Sequence, residues 1–275
     1  MRDDHATDLE LIIDKVRRAG ALAQHLKTNG LKTSYKSDGS IVTNADTEVN
    51  LWLKEALLAA RPDYGWQSEE EADNAERLTS LRTFVLDPID GTMNLMCRIP
   101  FVGISVALVD AQGPRIAAVA SVADGVIYTA VRGQGAFRDG VKLDLLQAKP
   151  SELIVLSTGL LDALVAGHAE AYAAMRKIGK IRNLGAQALN LCFVAGGGLA
   201  AVASIEAKVW DEAAGGLIVR EAGGIWTAAS DRANWRSPSQ MMTIRQQRSL
   251  AAHPHVVEKA TVALRPELYL REYKS

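Results

Sequence analysis

The chain has 275 residues, 48% of them hydrophobic and 23% charged, proportions that provide a sizeable core and exclude collagenous or intrinsically disordered character. Thirty-one Lys plus Arg against 32 Asp plus Glu leave a formal net charge of −1, so no basic surplus marks a nucleic-acid surface or a polybasic membrane anchor. Two cysteines, Cys97 and Cys192, form no disulfide framework and no Cys-x-x-Cys occurs; both are expected in the core. No apolar stretch of about 18 residues is present, so neither a membrane span nor a signal peptide is supported and the expected compartment is the cytoplasm.

Residues 7 to 28 place Leu9, Ile12, Ile13, Val16, Ala19, Leu22, Ala23 and Leu26 at intervals of three and four, which predicts a helix with one buried face. The polar run Lys36 to Ser40 breaks it. Thr43-Asn44-Ala45-Asp46 then offers capping residues to a second helix carrying Val49, Trp52, Leu53, Leu57 and Leu58, which stops near Arg61-Pro62. Beyond Tyr64 the texture turns to short β-rich runs: 83–86, 101–109, 116–122, 126–131 and 135–137. The turns at 110–114, 123–125 and 132–135 are short enough for hairpins, so this sheet is expected to be largely antiparallel.

From about Leu145 strands and helices alternate: strand 153–157, helix 160–177, strand 180–183, helix 186–194, strand 199–204, helix 211–222, then terminal strand and helix segments. Gly196-Gly197-Gly198 reads as the end of a helix before a strand. Residues 138 to 150 are the linker candidate, dividing the chain into an α+β half, 1–144, and an α/β half, 145–275.

The chemistry concentrates in Val85-Leu86-Asp87-Pro88-Ile89-Asp90-Gly91-Thr92-Met93-Asn94, an apolar strand ending in two carboxylates with a proline between them and a glycine behind. Pro88 donates nothing to a ladder and Gly91 permits a tight backbone, so Asp87, Asp90 and the Ile89 carbonyl can converge as oxygen ligands for a hard cation such as Mg²⁺. Taken alone, this is also an ordinary Asp-Pro-Gly turn. Two further acidic segments shift the balance: Ser68-Glu69-Glu70-Glu71, which alone reads as a solvated face, and Trp210-Asp211-Glu212-Ala213-Ala214-Gly215, where Asp211 alone reads as a helix cap. Gly133-Gln134-Gly135 lacks the third glycine of a dinucleotide fingerprint, and no His-Glu-x-x-His pairs the five histidines; His253-Pro254-His255 reads as a surface turn.

Ser68-Glu69-Glu70, Asp87 to Asn94, Trp210 to Gly215 and Glu221-Ala222-Gly223-Gly224 resemble the signature blocks of the inositol monophosphatase family, metal-dependent and lithium-sensitive phosphatases. Lys36, Val42 to Asp46, Gly133 to Phe137 and Gly185 to Asn190 extend the likeness over nearly the whole chain. The resemblance implies a layered α/β/α/β/α sandwich of the α+β class, commonly a homodimer, acting on a small phosphorylated metabolite with two or three Mg²⁺. It implies Glu69, Asp87 and the Ile89 carbonyl as ligands of one ion, Asp87, Asp90 and Asp211 as ligands of a second, and Asp46 as a contributor to a third through water. Thr92 with Glu69 would orient the attacking water. The Gly91 and Thr92 amides would cradle phosphate, and Gly185, Ala186, Gln187 and Asp211 would meet the substrate.

Phosphate monoester hydrolysis suits that equipment, because the uncatalysed reaction is extremely slow and demands charge neutralisation, a positioned water and a stabilised leaving alkoxide. The expected activity is phosphomonoester hydrolysis of a small polyol or sugar phosphate, inositol monophosphate first. The alternatives are a 3′(2′),5′-bisphosphate nucleotidase, a histidinol phosphatase, or a non-enzymatic partner of transcription machinery. Inositol specificity is weakened where the family commonly has an acid, since the ungapped match is Ser204, with Glu206 two residues on.

Overall fold

A computed structural model describes residues 4–37, 39–72, 77, 79–228 and 247–269. Helix α1 (Asp4–Asn29) and helix α2 (Asn44–Ala60) match the predicted periodicity. Between them β1 (Thr33–Tyr35) pairs antiparallel with β2 (Ile41–Thr43), a hairpin where the sequence suggests only a polar break. Thr43 caps α2 as expected: its hydroxyl accepts from the Ala45 amide at 3.2 Å, and its own amide donates to Asp46 Oδ2 at 2.8 Å.

Seven strands follow in one sheet, β3 (Gly65–Ser68), β4 (Thr83–Asp90), β5 (Gly103–Asp110), β6 (Gly113–Ser121), β7 (Ile127–Val131), β8 (Gly135–Arg138) and β9 (Val141–Lys142), with the short α3 (Thr92–Met96) after β4. They lie side by side in chain order. All neighbours are antiparallel, as the hairpin turns predicted, except the parallel pair β3 and β4.

The second half adds β10 (Leu153–Leu156), α4 (Thr158–Gly167), α5 (Ala169–Ile178), β11 (Lys180–Arg182), α6 (Gln187–Ala195), β12 (Ala201–Ala207), α7 (Val209–Glu221), β13 (Ile225–Ala228), β14 (Gln247–Ala252) and α8 (Pro254–Tyr269). Its sheet has the order β11-β10-β12-β14-β13, with β10 parallel to both neighbours and β14 antiparallel to its own. The single helix predicted over 160–177 is two, because the chain breaks at His168, which ends α4 and begins α5.

Side-chain alternation shows how the layers stack. In β4, Phe84 and Leu86 join the core under α1 and α2, whereas Val85 joins the core around α6 and α7. In β10, Val155 faces that same central core while Ile154 and Leu156 face α4, α5 and α8. The order is helices, sheet, helices, sheet, helices, the expected five-layer α+β sandwich. Two local expectations fail. Cys97, at the end of α3, is exposed while Cys192 is buried. His253 is buried, not part of a surface turn: its Nε2 lies 3.0 Å from the Ala148 carbonyl and its Nδ1 accepts from the His255 amide as α8 begins.

The central layer is tight because α7 is lined with small residues. A Cβ added at Gly215 would stand 2.6 Å from Leu191 Cβ of α6, below any ordinary contact. Gly20 in α1 has nothing within 4 Å of the same point. Gly215→Ala is therefore expected to destabilise the fold by about 1–3 kcal/mol, and Gly20→Ala to stabilise it by up to about 1 kcal/mol; urea melts of the two variants check both signs.

Candidate functional site

Strand pairing gathers the acids. In the parallel pair, Ser68 lies opposite Leu86, so the chain leaves both strands at the same end, with Glu69 after one and Asp87 still in the other; the Glu69 amide donates to the Leu86 carbonyl at 3.3 Å. Asp87 follows Val85 on the face toward α7. Opposite Asp87 in the ladder is Ser105, whose hydroxyl donates to the Trp210 carbonyl at 3.1 Å and fixes the first turn of α7 beside β5. That turn delivers Asp211. One oxygen each from Glu69, Asp87 and Asp211 lie within 4.8 Å of one another.

Pro88 interrupts the ladder, and the register shifts between Asp87 and Asp90. The displaced Asp90 carboxylate turns to the start of α6, where Oδ1 accepts from the Gln187 amide at 2.9 Å and Oδ2 from the Ala188 amide at 2.6 Å. Gly91, at φ +99°, makes the left-handed step into α3. Thr92 then donates its hydroxyl to Asp46 Oδ1 at 2.7 Å, with the Ile89 carbonyl at 3.3 Å. The second oxygen of Asp46 holds the Thr43 amide, so the cap of α2 and the start of α3 share one carboxylate.

Burial and crowding govern the electrostatics. Desolvation first, then the charges of Glu69, Asp90, Asp211 and Asp46, push the Asp87 carboxyl well above the usual range. Desolvation also lifts Asp211 well above it, helped by Asp90 and Glu69 and opposed by the Lys208 amide. Asp90 rises from 3.8 to about 7, burial outweighing its two helix amides. Lys36 supplies an ammonium, 3.1 Å from Glu69 Oε1 and 2.7 Å from Glu70 Oε1. Burial disfavours that charge, but the two glutamates more than offset this and raise its pKa.

The three consecutive glutamates divide between two sides. Glu69, which also enters the cluster, and Glu70 share Lys36. Glu71 accepts from Asn50 at 2.8 Å, Lys54 at 2.5 Å and Trp66 at 3.2 Å, tying the turn to α2. Nothing local in the sequence marks these anchors; Glu212 stands out only as an acid on a helix rich in alanine and glycine. Ala186 lies against Gly91, where an added Cβ would be 3.2 Å from Ala186 Cβ, and Gly185 lies against Asn94, where an added Cβ would be 2.8 Å from Asn94 Nδ2. Ser204 is buried and accepts the Glu206 and Ala207 amides, while Glu206 Oε1 accepts the Gly159 amide at 3.1 Å and so caps α4.

Oxygen donors alone, mostly anionic and converging from three elements, fit a hard divalent cation, with Glu69, Asp87 and Asp211 as the group best placed to hold it. Among the described residues no helix is long and apolar enough to cross a membrane.

Comparison with known proteins bears on the chain as a whole. The model of the inositol monophosphatase family matches residues 5–269. The inositol-1-monophosphatase of Rhizobium meliloti is 33% identical over 228 residues, 80% of this chain and 85% of that one. The Nus factor SuhB of Salmonella typhimurium is 30% identical over 271 residues, 94% of this chain and 96% of that one. The crystal structure of the extragenic suppressor protein suhB from Bartonella henselae superposes with a TM-score of 0.78 at 26% identity, covering 94% of this chain and 98% of that one.

The pKa directions give a sign for stability. Asp87, Asp90 and Asp211 titrate higher in the folded chain than unfolded, so protonation favours the fold, and their contribution is lost as pH rises through the folded values, about 7 for Asp90. The melting temperature in chelator is expected to fall between about pH 5 and about pH 8, and Mg²⁺ to raise it more at the higher pH, since bound cation and bound proton compete. Calorimetry at both pH values checks this.

Proposed function

The chain belongs to the inositol monophosphatase family, and on that premise we propose that it is a Mg²⁺-dependent phosphomonoesterase acting on a small polyol or sugar phosphate. The observation that carries the reading is the convergence of Glu69, Asp87 and Asp211 beside the Thr92–Asp46 pair. In this reading Glu69, Asp87, the Ile89 carbonyl, Asp90 and Asp211 hold the ions, with Asp46 contributing to a further site through water. Bound Mg²⁺ supplies positive charge to the phosphoryl and leaving oxygens and acidifies the attacking water.

The remaining work falls to side chains. Thr92 gives its own proton to Asp46, so toward the pocket its oxygen acts as an acceptor and can orient a water's proton. Glu69, in the acidic cluster, accepts the other proton as that water attacks phosphorus, the bond from phosphorus to the alcohol oxygen breaks, and the departing alkoxide takes up a proton from solvent. The amides of Gly91 and Thr92, at the first turn of α3, receive the phosphoryl oxygens. Gly185, Ala186, Gln187 and Asp211 border the alcohol portion. No covalent enzyme intermediate is needed.

Inositol monophosphate is the first substrate to try, but the position of Glu206 favours breadth in the panel: one oxygen of its carboxylate is taken by the Gly159 amide. A 3′(2′),5′-bisphosphate nucleotide and histidinol phosphate belong beside it. We place the activity in the cytoplasm and take a homodimer as the working form, which light scattering checks. The Salmonella relative favours a second reading, contact with transcription machinery; capture of RNA polymerase by a metal-site variant would support it.

Phosphate release from this panel is expected with Mg²⁺ and not with chelator. Thr92→Val, which keeps the shape and removes the hydroxyl, is expected to lower kcat by about 10²-fold or more, and Asp211→Asn to abolish turnover with the fold retained by circular dichroism. Undiminished release by Asp211→Asn would refute the site.

A further inference from the structure

Glu212 follows Asp211 in α7 and takes no part in the function proposed above. It is fully buried, yet its carboxylate is held from three sides: Oε1 accepts from Gln187 Nε2 at 2.9 Å and from the Ser249 hydroxyl, and Oε2 from Trp226 Nε1 at 3.3 Å. Leucine or methionine would fill the same place between two sheets without the desolvation cost of an acid. Packing alone therefore does not account for it.

The bond to Gln187 leads back to the site. Gln187 is the first residue of α6, and its amide, with that of Ala188, meets the two oxygens of Asp90. The residue before it, Ala186, has φ +40°, a left-handed conformation that a side chain disfavours, and it presses against Gly91. A strained turn of this kind persists only when its surroundings over-determine it. On one side the constraint is Asp90; on the other it is the Gln187 side chain, seated on Glu212.

We propose that Glu212 is a positioning residue for Asp90: by holding the Gln187 side chain it fixes the first turn of α6, aligns two amides on Asp90, and so sets the affinity of the site for its cation. The proposal rests on the metal-dependent reading above. Glu212 also keeps the Gln187 side-chain amide engaged in the interior.

Calorimetric titration of the full chain with MgCl₂, paired with melting in chelator, tests this without any ester. Gln187→Met keeps the length and removes the donor; Mg²⁺ affinity is expected to fall about ten-fold, the scale seen when a group orienting a metal ligand is lost. Glu212→Leu should reproduce that fall. Ser249→Ala removes a donor to the same Glu212 oxygen while leaving the Gln187 bond to that oxygen in place, and should leave Mg²⁺ affinity unchanged whatever it does to the chelator melting temperature. Wild-type affinity in Gln187→Met, or equal losses in Gln187→Met and Ser249→Ala, would overturn the proposal. A wild-type chain that takes up no Mg²⁺ would overturn the metal-dependent reading itself, and this proposal with it.

Discussion

Carboxylates brought together out of water repel one another and resist ionisation, and that conflict organises the protein. Asp87, Asp90 and Asp211 are each driven upward in pKa chiefly by burial, with their acidic neighbours adding to the effect for all three. Nothing in a stable fold requires such a cluster, and replacing it with apolar groups would cost less. The surrounding elements instead hold it in place: the parallel pair β3 and β4 delivers Glu69 beside Asp87, Ser105 pins the start of α7, and the amides of α6 receive Asp90. A fold that carries this burden makes sense when a divalent cation relieves it.

Much of the architecture was legible in the sequence because it rests on local rules. Three- and four-residue spacing marked α1 and α2, Thr43 and Asp46 announced a cap, and short Gly- and Asp-containing turns announced an antiparallel meander. Errors arose where tertiary contacts overrule local signals. The break at His168 carries no proline or glycine at that position, although Gly167 precedes it. His253 reads as part of an exposed turn because two of the partners that seat it, the Ala148 carbonyl at its ring and the Ala200 carbonyl at its amide, lie far off in sequence. The pairing of β1 with β2 joins segments too short to show a period.

The candidate site divides along the same line. Its acids stood out through residue type and order, and family resemblance supplied roles for them. The supporting contacts did not stand out, since Glu71 on Lys54 and Asn50, Glu206 on Gly159, and Glu212 on Gln187 are pairings between segments 17 to 47 residues apart. A run of three glutamates gives no hint that two will share Lys36 while the third turns to α2. Coordinates were needed to separate an acid that gathers with others from one that only anchors a turn.

The parallel pairing of β3 with β4 also bears on how the chain reaches its native state. Antiparallel neighbours close through tight hairpins, but strands running the same way, as β3 and β4 do, cannot. Asp211 must then arrive from the far end of the sequence. Such non-local closures are slow, because chain entropy is surrendered before any contact compensates for it. The acidic cluster is therefore complete only when both halves of the chain have come together, which makes it a reporter of the whole fold and not of either half.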